Sequence, residues 1–417
     1  MTANELREKA GAVENFLTTH FLDRNNVVFS FLDKDTLRPP EESFFPKFEP
    51  GMSYRDGCVE GYYTRSERSA YENCGMCTGA YMQSLCFQYR AEKPPGVLEK
   101  MTRCFLALKH IYDMGKALEE GFFSKIYNHA SRETSSDQVL YAVRALDHFY
   151  EFASEEQKKE IAGMIPAMVN FWVKRNYIYP YLGLKDKHWP LMRFPPFLLL
   201  AYKYSGNAMF KKEYDRLLGL GFTATPEFAQ LTMKRGGLTG ISKYENKHRA
   251  FLICNMADCL TMDVMNFDCL INNDSGNPLC TKWKDGILTM WEEAKITLAP
   301  NGKFYVQVLV DMDTGETRRP EGYGKEDGPP GCEGGWSTMV ARGAVMAAKY
   351  YPERADMEAG AANVLSQIDV QDMTYYDNPE RFEPKQRFMT RYLSGDSIAN
   401  WLWAYWQGRY QDMFRDR

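Results

Sequence analysis

Apolar positions recur along this chain at the three-and-four spacing of an amphipathic helix, and the stretches that carry them come in pairs. They run from Leu6 to Phe21, Tyr71 to Tyr89, Gly96 to Leu118, Ser136 to Phe152, Ser154 to Val173 and Leu191 to Tyr204. They continue from Met209 to Leu220, Lys247 to Met265, Thr281 to Ala294, Gly335 to Tyr350, Glu353 to Ile368 and Gly395 to Gln407. The odd-numbered members carry charged faces, as in EEQKKE and KKEYDR, whereas the even-numbered ones are richer in Gly, Ala, Cys and aromatics. A helix with one wet face belongs outside, and one that is apolar most of the way round belongs inside. The expected fold is therefore all-α: an (α/α)6 toroid of six helical hairpins forming one catalytic domain over residues 1–417.

Links from even to odd stretches are mostly short. Those from odd to even are long, roughly 22–70, 119–135, 174–190, 221–246, 295–334 and 369–394. In an alternating ring these long links share one end, the end where the inner helices begin. Long loops in compact domains are usually functional, so that end is the expected cleft. Within one of them KFYVQVLVDMDTGE predicts a small β-hairpin.

Composition adjusts this picture in a few places. The net charge of −4 argues against a nucleic-acid surface as the main business of the chain. Aromatic residues make up 14%, enough for both a large core and an aromatic-walled cleft for ring-shaped ligands. The ten Cys are irregularly spaced, and Cys74 and Cys77 read as buried helix thiols rather than a metal or redox pair. No apolar run approaches the ~18 residues of a membrane span, and the first residues lack a signal-peptide pattern. The expectation is a cytoplasmic protein with reduced thiols, or a periplasmic one if a leader has been removed. Nucleotide, dinucleotide and zinc-protease motifs are missing, so neither a cofactor nor a metal is expected.

Candidate chemistry collects where the inner helices should start. The second opens with SRETSSDQ, giving Arg132, Glu133, Asp137 and Gln138. The first has Tyr63 nearby and Glu72 at its start, and the third is preceded by Asp186-Lys187-His188-Trp189 and contains Arg193. The fourth opens on YENKHR with His248 and Arg249, the fifth follows Glu333 and holds Trp336, and the sixth follows Arg391 and holds Asp396. Helix capping accounts for Ser136, Ser394 and Glu72, because oxygen acceptors and acids suit a helix N-terminus. It does not account for Arg193, His248, Arg249 or Trp336. Carboxyl groups mixed with Arg, His and Trp fit a carbohydrate site, in which one carboxyl donates a proton to the leaving oxygen and another activates water. Asp137 leads as the acid, then Glu333, Asp396 and Glu133. Glu133 and Asp137 would share a helix face if the helix already includes Glu133. Trp189, Trp336 and Tyr63 are expected to be partly exposed for stacking on a sugar, and Arg193, Arg249 and Arg391 to hold a substrate carboxylate.

The hairpin plan, together with SRETSSDQ, YENCG and CEGGW at inner-helix starts, resembles the six-hairpin glycosidase superfamily. The branch it looks most like holds unsaturated glucuronyl and rhamnogalacturonyl hydrolases. The resemblance implies a glycoside hydrolase acting on uronic-acid-containing oligosaccharides, with Asp137 matching the family's general acid/base. Polysaccharide lyase or sugar epimerase chemistry on the same toroid is the alternative, with His188 and His248 as the acid/base groups of an epimerase. A non-catalytic carbohydrate-binding toroid is a third class. In every case the expected partner is a sugar, with neither nucleic acid nor membrane.

Overall fold

Among the described residues six helices are buried nearly all round, and they alternate with six that are buried along one stripe. The computed structural model describes residues 1–47, 63–127, 131–181, 187, 189, 191–220, 251–255, 259–299, 301–304, 307–311, 317–318, 334–377, 379 and 384–415. The inner set is α3 (Cys74–Glu92), α5 (Ser136–Phe149), α7 (Pro195–Ser205), α9 (Val264–Asn273), α11 (Gly334–Ala348) and α13 (Gly395–Tyr410). The outer set is α1 (Ala3–His20), α4 (Val97–Lys116), α6 (Glu155–Val173), α8 (Ala208–Gly219), α10 (Cys280–Lys295) and α12 (Ala355–Gln367). The short α2 (Arg65–Tyr71) lies in the first long link.

The burial pattern follows from the residues. In α8 only Phe210, Tyr214 and Leu217 are buried, at the i, i+4, i+7 spacing of one helical stripe. In α13 every residue from Gly395 to Gly408 is buried, and in α3 every residue from Cys74 to Gln88. Such helices have no wet face to offer and can only line a core. Consecutive inner helices pack side by side, and α13 packs back on α3, so the inner ring closes. Small residues permit the close approach. A Cβ on Gly79 of α3 would stand 2.7 Å from the Tyr141 carbonyl oxygen of α5. Two outer helices begin with reciprocal capping boxes, Thr2 with Glu5 for α1 and Ser154 with Gln157 for α6.

Two small sheets complete the fold. The strands β1 (Phe31–Asp33) and β5 (Tyr392–Ser394) pair antiparallel, tying the first long link to the last. β5 runs straight into α13, and the Ser394 hydroxyl accepts from the Ser397 N–H (3.2 Å), fixing the first turn of that helix. The second sheet has the order β2 (Phe251–Asn255), β3 (Gln307–Asp311) and β4 (Thr317–Arg318), all antiparallel. Its β3–β4 pair is the hairpin expected from KFYVQVLVDMDTGE.

β2 is a correction. The sequence predicts one helix from Lys247 to Met265, but residues 251–255 are a strand, and α9 starts at Val264 after a π-helical turn, Cys259–Asp263. Phe-Leu-Ile-Cys is a short apolar run that serves a strand as readily as a helix, and its pairing with β3 decides the matter. The fourth inner helix therefore does not open on Tyr244–Arg249. Among the described residues no helix is long and apolar enough to cross a membrane.

Candidate active site at the inner-helix N-termini

The first turns of the inner helices bring acids and bases from distant parts of the chain together. Asp137 lies in the first turn of α5 and is ion-paired to Arg193, which sits in a short 3-10 turn ahead of α7. The Ser136 hydroxyl donates to the same carboxyl oxygen, 3.3 Å away. The cap residue of α5 is Ser135, so Asp137 is in the first turn without capping it. Gln138, beside it, knits α5 to α3: its Oε1 accepts from the Met76 N–H at 3.0 Å, and its Nε2 donates to Asn73 Oδ1 at 3.2 Å.

Asp396 occupies the corresponding turn of α13 and is 5% exposed. Asn400 Nδ2, one helical turn on, donates to its Oδ1 at 2.8 Å. Burial pushes the Asp396 carboxyl up to about 7, and the negative charge of Asp137 adds to the rise, while Arg342 and Asn400 hold it back. Two inner-helix carboxyls thus sense each other and are treated differently. One is tied to a guanidinium; the other is buried and keeps its proton to near neutrality.

Beneath them lies a polar floor. Tyr141 follows Asp137 by one turn on α5, and its surroundings are the charges of Arg342, Asp396 and Asp137 together with the amide of Asn400. Burial raises the Tyr141 phenol well above its ordinary value. Arg342 comes from α11, is fully buried, and stacks on Trp403 at 4.1 Å with Tyr141 at 5.4 Å. Its Nη1 reaches Met265 Sδ at 3.9 Å, but among the described residues its Nε and Nη2 have no hydrogen-bond partner. Burial pulls its pKa down, partly offset by Tyr141 and Asp396. Both amide atoms of Asn266, buried on α9, are also unfilled. A buried guanidinium with free N–H groups is costly unless something with negative charge visits it.

A second group stands on the α3–α5 side of the cleft. Arg68 Nη1 donates to both Glu133 oxygens (3.1 and 3.2 Å) and to the Tyr63 hydroxyl (2.8 Å). Lys125, buried, pairs with Glu72 at 3.4 Å and donates to the Tyr181 hydroxyl at 3.0 Å. Burial raises the Glu72 carboxyl, and Glu133 adds to the effect against the pull of Lys125.

The expected site residues thus distribute unevenly. Glu72, Glu133, Asp137, Gln138, Arg193 and Asp396 stand at inner-helix starts or in the links just before them, connected by the contacts above. Trp336 is half-buried in the first turn of α11 against Tyr375, with ring centroids 5.7 Å apart. Glu333, His188, His248 and Arg249 lie outside the described residues. The shared helix face of Glu133 and Asp137 is corrected, because α5 starts at Ser136 and Glu133 precedes it, turned to Arg68. Trp189 is corrected as well. It is 4% exposed, packed on Trp172 and Tyr181, with its Nε1 donating to the Tyr179 carbonyl, so it has no face to offer a ligand. Arg391 is committed elsewhere, to Asp33 at 3.0 Å and Asp35 at 3.2 Å over the Phe44 ring. Arg132 is exposed and lines a separate small pocket with Glu119 and Tyr179.

Sequence reasoning missed Tyr141 and Arg342, and both left signals. Tyr141 is four residues after Asp137, hence one turn below it on the same face. Arg342 is the single charge between Trp336 and Ala348 in an otherwise apolar inner helix. Among the described residues no group of three or more His, Cys, Asp or Glu could hold a metal ion.

No family model and no curated protein matches the chain. Solved structures do. A sugar epimerase from a ruminal bacterium is similar with a TM-score of 0.54 at 11% identity, over 99% of this chain and 99% of that one. The cellobiose 2-epimerase of Bacillus thermoamylovorans B4167 is similar with a TM-score of 0.53 at 9% identity, over 97% and 98%. An α-amylase from Clostridium perfringens is similar with a TM-score of 0.50 at 10% identity, over 96% and 97%. At such identities the likeness is one of fold, and the fold is that of the six-hairpin (α/α)6 toroids.

Proposed function

We propose that this chain is a sugar isomerase or epimerase that works by proton transfer through an enediolate, with Asp396 as the proton-holding acid. The observation that carries this reading is Arg342, a fully buried guanidinium whose Nε and Nη2 have no hydrogen-bond partner among the described residues, near the buried Asp396 carboxyl. Positive charge fixed in a low-dielectric floor stabilises an anion that develops during the reaction. When a base removes the proton next to the carbonyl of a ring-opened sugar, the C–H electrons form a C=C bond and the carbonyl oxygen becomes anionic. Asp396 then supplies that oxygen with a proton. Return of a proton to carbon, with an enediol hydroxyl giving its proton to the Asp396 carboxylate as the carbonyl re-forms, yields the epimer or the isomer, according to the carbon that receives it. Asp137 is the candidate base among the described residues, and His188 and His248 compete for that role from outside them. The sugar epimerases that share the fold agree with this reading.

Glycoside hydrolysis is the second reading, favoured by the unequal pair Asp137 and Asp396, one ion-paired and one protonated near neutrality. Its transition state gains positive charge at the sugar ring, and the fixed charge of Arg342 opposes that on a neutral substrate.

The two readings separate in deuterium oxide. Aldoses and ketoses incubated with the enzyme should take up deuterium at the carbon next to the carbonyl, seen by proton NMR, and Asp396→Asn should slow the uptake. New reducing ends from oligosaccharides, with no uptake into any monosaccharide, would replace this reading with the hydrolase.

A further inference from the structure

Four cations stand near one another beside Asp137 and Glu133: Arg68, Lys125, Lys187 and Arg193. Three of them face carboxyl groups. Arg68 meets Glu133, Lys125 meets Glu72, and Arg193 meets Asp137. Lys187 has no carboxylate partner among the described residues.

Lys187 is also held in place. The Lys187 carbonyl accepts from the Tyr179 N–H at 3.0 Å, and the Tyr177 carbonyl accepts from the Trp189 N–H at 2.9 Å, so Lys187 is pinned to Tyr179 and Trp189 to Tyr177. The ammonium stands 4.0 Å from the Trp189 ring centroid and 4.1 Å from that of Tyr181, two rings that meet edge to face 5.1 Å apart. Tyr181 is in turn bonded to Lys125. Cation–π contact holds an ammonium without neutralising it. The residue is half-buried, and burial lowers its pKa, with Arg193 and Lys125 repelling and Asp137 attracting. Asp137 is already bound to Arg193, so the charge of Lys187 stays uncompensated.

We propose that Lys187, with Arg193 beside it, forms an anion subsite that holds an acidic substituent, a carboxylate or phosphate, on the sugar. A fixed, partly desolvated cation next to three others attracts such a group and gains nothing from a hydroxyl that it could not obtain from water. The buried indole of Trp189, unable to stack on a ligand, has a use here as the platform of the cage. The subsite rests on the sugar-enzyme reading for its ligand class, but its test does not require turnover.

The test is calorimetric titration of the full chain with D-glucuronate, D-glucose 6-phosphate and D-glucose, for wild type, Lys187→Gln and Lys187→Arg, with thermal melts to confirm folding. Wild type should bind at least one anion about ten-fold or more tightly than glucose. Lys187→Gln should lose that margin and leave glucose unchanged, and Lys187→Arg should keep most of it. Equal binding of all three sugars by wild type, no binding of either anion, or an equal loss for all three in Lys187→Gln overturns the proposal. Anion binding without deuterium uptake would leave the subsite standing and remove the isomerase reading.

Discussion

Two fully buried arginines sit on inner helices of the same ring, Arg342 under the cleft and Arg144 toward the opposite end, and their surroundings differ. Arg144 pairs with Asp147 at 3.1 Å and Asp268 at 2.9 Å. Those carboxylates are saturated further. Asp268 accepts from Lys349 at 2.8 Å and the Tyr350 hydroxyl at 2.7 Å, and Asp147 from Lys203 and the Tyr204 hydroxyl, both at 2.7 Å. His148, between Arg90 and Arg144, is pushed far below its usual pKa by burial and then by these guanidinium groups. Among the described residues Arg342 has an aromatic face and a thioether but no hydrogen-bond partner at Nε or Nη2, whereas Arg144 lacks one only at Nε. One end of the ring closes its charges on themselves and serves stability. The other leaves a cation and a protonated acid open, and an open buried charge is a cost that only a ligand or a reaction offsets.

Paired substitutions sharpen this contrast. The largest effect is expected at the acids. Asp396→Asn should cut turnover about 10²–10⁴-fold without lowering the melting temperature, because Asn keeps the shape and removes the proton. Asp268→Asn should do the reverse, costing about 3–5 kcal/mol of stability while turnover per folded molecule persists. Urea unfolding beside initial rates checks both. Loss of stability in Asp396→Asn as large as in Asp268→Asn would break the contrast.

The arginines come next. Arg342→Met should slow turnover about 10²–10³-fold with stability unchanged or improved. Arg144→Met should cost about 1–3 kcal/mol, softened by the lysines and tyrosines that still hold its carboxylates, and should spare turnover. The same two assays decide it.

The two ends should also respond to pH with opposite sign. Asp396 has a raised pKa in the folded chain, so the native state holds its proton more tightly than the unfolded state does. Its contribution is full below about pH 4, the unfolded value, and is lost as pH rises through about 7. Asp268 is held below its usual value. Burial works against its charge, but Lys349 and Arg144 outweigh burial, so its contribution is present above about pH 4 and is lost as pH falls further. Melting temperature against pH should lose its decline toward pH 7 in Asp396→Asn and part of its acid limb in Asp268→Asn. Activity that needs protonated Asp396 should fall as pH rises through about 7.

The smallest effect is expected at Arg391, which lines a side pocket with its partner Asp33 and also pairs with Asp35. Arg391→Ala should change stability by less than about 1 kcal/mol and leave anion preference intact, unlike Lys187→Gln. Denaturant midpoints and the same sugar titrations measure it.

The ring was legible because amphipathic and all-apolar helices alternate at spacings as clear as Phe210, Tyr214 and Leu217 against the unbroken burial of α13. What failed was local ambiguity. Phe251–Asn255 has no period to separate strand from helix, and its partner strand lies some fifty residues on. Asp137 and Asp396 could be nominated because a helix start confines them to one end of the ring. Their division of roles could not be read, since it depends on Arg193 reaching one and on burial of the other. Arg342 stands out by its unfilled hydrogen-bond positions and Lys187 by its cation–π seat beside other cations, and both are properties of three-dimensional surroundings.

The central claim, that Asp396 keeps its proton to near neutrality beside an open Arg342, is tested most directly by titrating that carboxyl itself. Aspartate labelled with 13C at the side-chain carboxyl, assigned by comparison with Asp396→Asn, reports the ionisation by chemical shift without any substrate. The account predicts an inflection close to pH 7 for Asp396. An inflection near the ordinary aspartate value of about 4 would contradict it.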